Sequence, residues 1–85
     1  MSNTIRITVK LFAAYQDAYG QSELTVDLPG GTTVGRLCDR MLTEHPELQQ
    51  WRPLTRFGVN LQFVPAETIL TDGDEVVMIP PVSGG

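Results

Sequence analysis

The sequence predicts an α+β domain: a mixed sheet packed on one main helix, ending in a flexible C-terminal Gly-Gly tail. Three observations carry this expectation. Apolar residues alternate with period 2 at three places, and a fourth short apolar run, Val76 to Ile79, closes the domain. A single apolar stripe of helical period lies between the second and third of these runs. The last residues, Pro80-Pro81-Val82-Ser83-Gly84-Gly85, belong to neither pattern.

In chain order, Ile5, Ile7, Val9 and Leu11 alternate with Arg6, Thr8 and Lys10, a strand with one buried face. Phe12 to Tyr19 is rich in helix-tolerant residues and stops at Gly20, which suits a left-handed C′ position after a short helix. Leu24, Val26 and Leu28 form the second strand, expected antiparallel to the first and ended by Pro29-Gly30-Gly31. Thr32 or Thr33 then caps a helix whose apolar residues fall at Val34, Leu37, Cys38, Met41 and Leu42. Pro46 ends it near His45, and Glu47 to Trp51 adds a turn before Pro53. Phe57, Val59, Leu61 and Phe63 read as one strand, Ile69-Leu70 as a short edge piece, Thr71-Asp72-Gly73-Asp74 as a turn, and Glu75 to Ile79 as the final strand.

The order β–β–α–β–(β)–β with one long helix is that of the β-grasp, or ubiquitin-like, fold. A ferredoxin-like split sheet would need a second helix of equal weight late in the chain, and none is visible. The expected organisation is one β-grasp domain over residues 1–81 and a tail over 82–85.

Composition narrows the function classes. With 85 residues, 41% apolar and 19% charged, the chain fits one folded domain without a second lobe to frame a deep cleft. Residues 1–42 balance four bases with four acids, whereas residues 43–85 hold Arg52 and Arg56 against six acids, giving the net −4. An acidic half argues against nucleic acid and anionic membrane as partners and for a protein with a basic surface. No signal-peptide core or membrane-length apolar run is present, and the lone Cys38 excludes an internal disulfide, which fits a reducing cytoplasm.

A conventional active site is hard to assemble. His45 lies seven residues from Cys38, beyond single-turn reach, so a nucleophile–base pair is not expected. Cys38 sits on the apolar stripe, where cysteine behaves as a small hydrophobe, with a persulfide or redox thiol as the alternative. His45 reads as a solvent-facing helix end, and Trp51 as a packing anchor. Asp72, Asp74 and Glu75 read as a solvated turn, because the remaining ligands of a calcium loop are missing. No metal site and no bound cofactor are expected. Gly30-Gly31 lacks the later glycine and lysine of a phosphate loop.

The tail is different. A stiff Pro80-Pro81 pair launches a short flexible end off a rigid strand, and six extended residues reach roughly 20 Å. Glycines without Cβ atoms pass a narrow channel and lie flat against a backbone or nucleotide. The Gly85 carboxylate is a handle for covalent chemistry that needs no built site, once a partner enzyme activates it by adenylation.

Residues Leu70-Thr-Asp-Gly-Asp-Glu-Val-Val-Met-Ile-Pro-Pro-Val-Ser-Gly-Gly85, with Val59-Asn60 and Lys10-Leu-Phe-Ala13 before Gly20, closely resemble MoaD-type proteins, the small subunits of molybdopterin synthase. The resemblance covers most of the chain and is weakest from His45 to Arg56. It implies a sulfur carrier whose Gly85 carboxylate, presented by Gly84, is adenylated with ATP by a MoeB-type, E1-like enzyme and converted to a thiocarboxylate by a sulfur donor. The tail would then enter a MoaE-type large subunit, in a heterotetramer, and give sulfur to cyclic pyranopterin monophosphate to form the dithiolene. The family's docking positions match Phe12, Phe63 and Ile79, with Pro80, Pro81, Val82 and Ser83 leading into the partner. Ile79 stands where an aromatic is frequent. For Phe12 and Phe63, alternation alone leaves core packing equally open.

Other readings remain at this level. The same fold could carry sulfur for thiazole, cysteine or thio-metabolite synthesis, although ThiS-type chains are usually shorter between Cys38 and Phe57. A ubiquitin-like modifier is a second class; Lys10 is the one lysine, which disfavours polymer formation. A non-covalent interaction domain is the third.

Overall fold

The structure, a computed structural model, describes residues 3–80. Its elements are β1 (Thr4–Leu11), α1 (Ala13–Tyr19), β2 (Glu23–Pro29), α2 (Val34–Glu44), a 3₁₀ helix (Pro46–Leu54), β3 (Arg56–Val59), β4 (Gln62–Val64) and β5 (Glu75–Ile79). The five strands form one sheet in the order β2-β1-β5-β3-β4. β1 pairs parallel with β5, and the other pairings are antiparallel. This is the β-grasp arrangement expected from the element order. The boundary between residues 81 and 82 lies outside the described residues.

One sheet face is sealed by helix. The inward residues of β1 (Ile7, Val9, Leu11) and β5 (Val76, Met78) meet Val34, Leu37, Cys38, Met41 and Leu42 of α2, and all are buried. The stripe read from the sequence is thus the packing face of α2, where apolar burial gives most of a helix's stability. Thr33 caps α2, its side chain accepting from the Arg36 N–H. The carbonyls of Thr68 and Ala66 accept from the N–H groups of Val34 and Gly35, so the segment before β5 ties off the first turn. A Cβ at position 35 would come within 3.0 Å of the Ala66 carbonyl oxygen, which explains the glycine there.

Three expectations are corrected. The run Phe57–Phe63 is not one strand: Asn60 and Leu61, at φ 50° and 71°, make a two-residue turn between β3 and β4. Odd residues of β3 then oppose even residues of β4, as Phe57 opposes Val64. Alternation cannot register this, because the reversal flips the parity and leaves Phe57 buried while Phe63 is exposed. The expected turn Glu47–Trp51 is a longer 3₁₀ helix reaching Leu54, anchored by buried Leu48. Ile69 makes only an isolated bridge to Thr33.

Candidate functional site

The sheet face opposite α2 carries no helix. Arg6, Thr8 and Lys10 of β1 lie on it, with Glu75, Val77 and Ile79 of β5, Arg56 and Gly58 of β3, and Phe63 of β4. Register places Lys10, Val77, Gly58 and Phe63 side by side across four strands. Gly58 puts no side chain between Val77 and Phe63, so an apolar trough runs toward the β4 edge. A Cβ at Gly58 would meet only Val77 Cβ at 3.7 Å and the Gln62 carbonyl oxygen at 3.6 Å, so the fold itself does not require this glycine.

Phe12 and Phe63 are 47% and 71% exposed, which decides against core packing for both. Phe12 follows Leu11, the register partner of Met78, and so stands level with Ile79. The chain turns sharply there, since Ala13 begins α1 at φ 50°. Ile79 is half-buried beside Arg56, its partner on β3. Pro80 is buried, so it anchors the root of the tail to the domain. Pro81, Val82, Ser83, Gly84 and Gly85 lie outside the described residues.

Two of the bases on this face are paired. Lys10 Nζ is 3.8 Å from a Glu75 carboxylate oxygen, and Arg6 Nε donates to Asp27 at 2.9 Å. The hydrogen bond and charge of Arg6 hold the Asp27 carboxyl below the usual carboxylate range. Of the three acids read as a solvated turn, Asp72 is exposed and Glu75 partly so, but Asp74 instead fastens the loop. Asp74 is buried and accepts from the Thr71 N–H (2.8 Å), the Thr71 hydroxyl (3.1 Å) and the Asn60 side-chain amide (2.9 Å). Burial pushes its carboxyl up, but these hydrogen bonds outweigh it and hold the pKa below the ordinary value. Asp72 accepts from the Arg6 N–H at 2.7 Å.

No built catalytic pair appears among the described residues. Cys38 is fully buried, and burial pushes its thiol up, opposite to what a reactive thiolate needs. His45 is not simply solvent-facing: its ring packs at a tilt of 59° against Tyr19, centroids 4.2 Å apart, and Nδ1 is 3.3 Å from Glu47. The Tyr15 and Thr55 hydroxyls, 2.6 Å apart, form a buried link between α1 and the segment before β3. Trp51 is partly buried against the core, as expected. No cluster of metal-binding side chains occurs among the described residues. Among the described residues, the feature that stands out is a bare, partly apolar sheet face that ends at Pro80.

Comparison with known proteins agrees with this division. Residues 9–85 match the ThiS family. The chain belongs to that family. A molybdopterin synthase sulfur carrier subunit from Mycobacterium tuberculosis is 35% identical over 82 residues, covering 95% of this chain and 99% of the relative. The Arabidopsis thaliana protein of the same name is 30% identical, covering 99% and 88%. The crystal structure of SAMP1 from Haloferax volcanii superposes with a TM-score of 0.79 at 28% identity, covering 94% of this chain and 99% of that one. On the bare face, Val77 and Gly58 lie beside Phe63 and Ile79, two of the docking positions expected from the sequence. Val77 was legible only as one of a run of apolar residues, and a glycine gives no apolar signal at all.

Proposed function

We propose that this chain is the sulfur carrier, the small subunit of a molybdopterin synthase. The observation that carries this reading is family membership over residues 9–85, with relatives of that name matching nearly end to end. The Gly85 carboxylate is first adenylated on an E1-like enzyme: a carboxylate oxygen attacks the α-phosphorus of ATP and pyrophosphate leaves. A sulfur nucleophile from a donor then displaces AMP, leaving a thiocarboxylate. In the large subunit that sulfur attacks a carbon of the cyclic pyranopterin that bears oxygen, forming a C–S bond as the C–O bond breaks and the oxygen departs with a proton. Hydrolysis of the resulting thioester returns the Gly85 carboxylate and leaves sulfur on the pterin. Each carrier delivers one sulfur, so a dithiolene requires two loaded chains, which suits a heterotetramer.

In this reading the chain supplies sulfur and position, and the large subunit supplies the catalytic side chains. The chain binds no cofactor, and ATP belongs to the activating partner. Phe12, Phe63 and Ile79, with Val77, form the face that both partners grip, and Pro81 to Ser83 line the entry channel. The cytoplasm, where ATP and reduced sulfur donors coexist, is the proposed compartment.

The test is intact mass after incubation with ATP, an E1-like activating enzyme and a sulfur source. Replacement of one oxygen by sulfur at Gly85, located by fragmentation, supports the carrier role; an unchanged mass with a demonstrably active enzyme refutes it. Deleting Gly85 or appending a residue should abolish loading without altering thermal stability. The similarity to a small archaeal modifier protein from Haloferax volcanii, 31% identical, favours a second reading in which Gly85 is joined to a lysine of a target. Conjugates carrying this chain in an isopeptide bond would identify it.

A further inference from the structure

Leu61 combines two properties that disfavour it in the isolated chain. Its side chain is 90% exposed, and its backbone stands at φ 71°, a left-handed conformation opposed by a Cβ and open to glycine. Two-residue hairpin turns favour Asn-Gly; Asn60 fits that pattern, and Leu61 occupies the glycine position. Leu54 and Ile69 are also exposed, at 59% and 60%, but neither has a positive φ. Backbone strain kept together with an exposed apolar side chain calls for a function outside the fold.

The docking face leaves room for one. Phe12, Phe63, Val77 and Ile79 expose on the order of 300 Å² between them, whereas a stable complex buries about 800 Å² on each partner. The inserted tail supplies part of the difference, and a contact farther along the sheet supplies more. β5 runs from Glu75, whose carbonyl accepts from the Asn60 N–H at 2.8 Å, to Ile79 at the root of the tail. Four residue steps along a strand span about 13 Å. Leu61 is the next apolar group toward the far end. The carboxylates of Asp72 and Glu75 reach solvent there, with Asp74 buried behind them; Arg6 beside Asp72 is paired with Asp27, Lys10 faces Glu75, and no base follows Arg56 in the chain.

We propose that Leu61 is a second anchor for the large synthase subunit, seated in an apolar socket rimmed by basic side chains, about 13 Å along the sheet from the tail exit. The inference rests on the docking face described above. The large subunit is favoured over the activating enzyme because the relatives that match nearly end to end are named subunits of a molybdopterin synthase, so the synthase is the assembly this face serves.

The test titrates purified large subunit by calorimetry against the wild-type chain, Leu61→Gly, Leu61→Asn and Phe63→Ala, with thermal melts of each. Glycine and asparagine both accept the left-handed turn, so both variants fold. Leu61→Gly should raise Tm by about 2–5 °C while weakening binding about tenfold, and Leu61→Asn should weaken binding equally. Opposite signs in stability and affinity are the signature. Unchanged affinity in both Leu61 variants, with Phe63→Ala impaired, overturns the anchor and leaves the docking face standing. Full affinity in Phe63→Ala with weakened Leu61 variants overturns the docking face instead. A wild-type chain that does not bind defeats both. An equal loss toward the activating enzyme, read as a raised KM for the carrier in adenylation, overturns the assignment of the partner.

Discussion

The two faces of the sheet are cut from the same strands and obey opposite rules. On the covered side, Val9, Val76 and Met78 are wholly buried against α2. On the other side, one residue along in each strand, Lys10, Val77 and Ile79 remain partly open and Phe63 is mostly exposed. The covered face stabilises the domain; the bare face contributes little to stability and is left apolar for something else. In the proposed function, stability and recognition are thus divided by residue parity, and substitutions can separate them.

Leu37→Ala, at the centre of the covered face, should cost about 3 kcal/mol and lower Tm by roughly 15 °C in a thermal melt. Asp74→Asn, at the end shared by both faces, should cost about 2 kcal/mol in urea unfolding, because an amide NH₂ replaces an oxygen that accepts from Thr71. Acid should act on the same group. Its folded pKa lies below the unfolded value near about 3.9, so its stabilisation is complete above that value and lost as pH falls through the folded pKa. Wild type should therefore lose more stability than Asp74→Asn between about pH 5 and pH 3; parallel pH curves would show that this carboxylate is not the anchor.

Cys38→Val, a near-isosteric change in the core, should cost about 1 kcal/mol or less and still accept sulfur. A folded variant that could not be loaded would move the chemistry from the tail to the thiol. Phe63→Ala should change stability least, within about 0.5 kcal/mol, while weakening the large-subunit complex about tenfold. A large loss of Tm in that variant would mean that the bare face also holds the fold together.

Much of this division was legible in the sequence. The alternation of Ile5 to Leu11 set the covered side of β1, and the stripe from Val34 to Leu42 named the helix that covers it, because both periods are local. Phe63 was undecidable, since its facing depends on a two-residue turn whose sign is a positive φ at Leu61. Leucine gives no warning of that conformation. Asp74 was read as solvated because a carboxylate in a Thr-Asp-Gly-Asp segment usually is. Its burial depends on Asn60, fourteen residues earlier, which no local pattern connects. The reading of the tail rests on terminal glycines after paired prolines, a pattern that needs no fold, and it lies outside the described residues.

β5, the last strand of the chain, occupies the middle of the sheet between β1 and β3. A polypeptide interrupted before Glu75 would leave two unconnected hairpins, β1–β2 and β3–β4, each marginal on its own. The docking face would then lack Val77 and Ile79, and α2 would lose the sheet centre it packs on. During synthesis, the centre of the sheet and the bare face on it come into being only when the ribosome has reached β5. A chain truncated before β5 should therefore fail to fold, which a thermal melt of residues 1–74 would check.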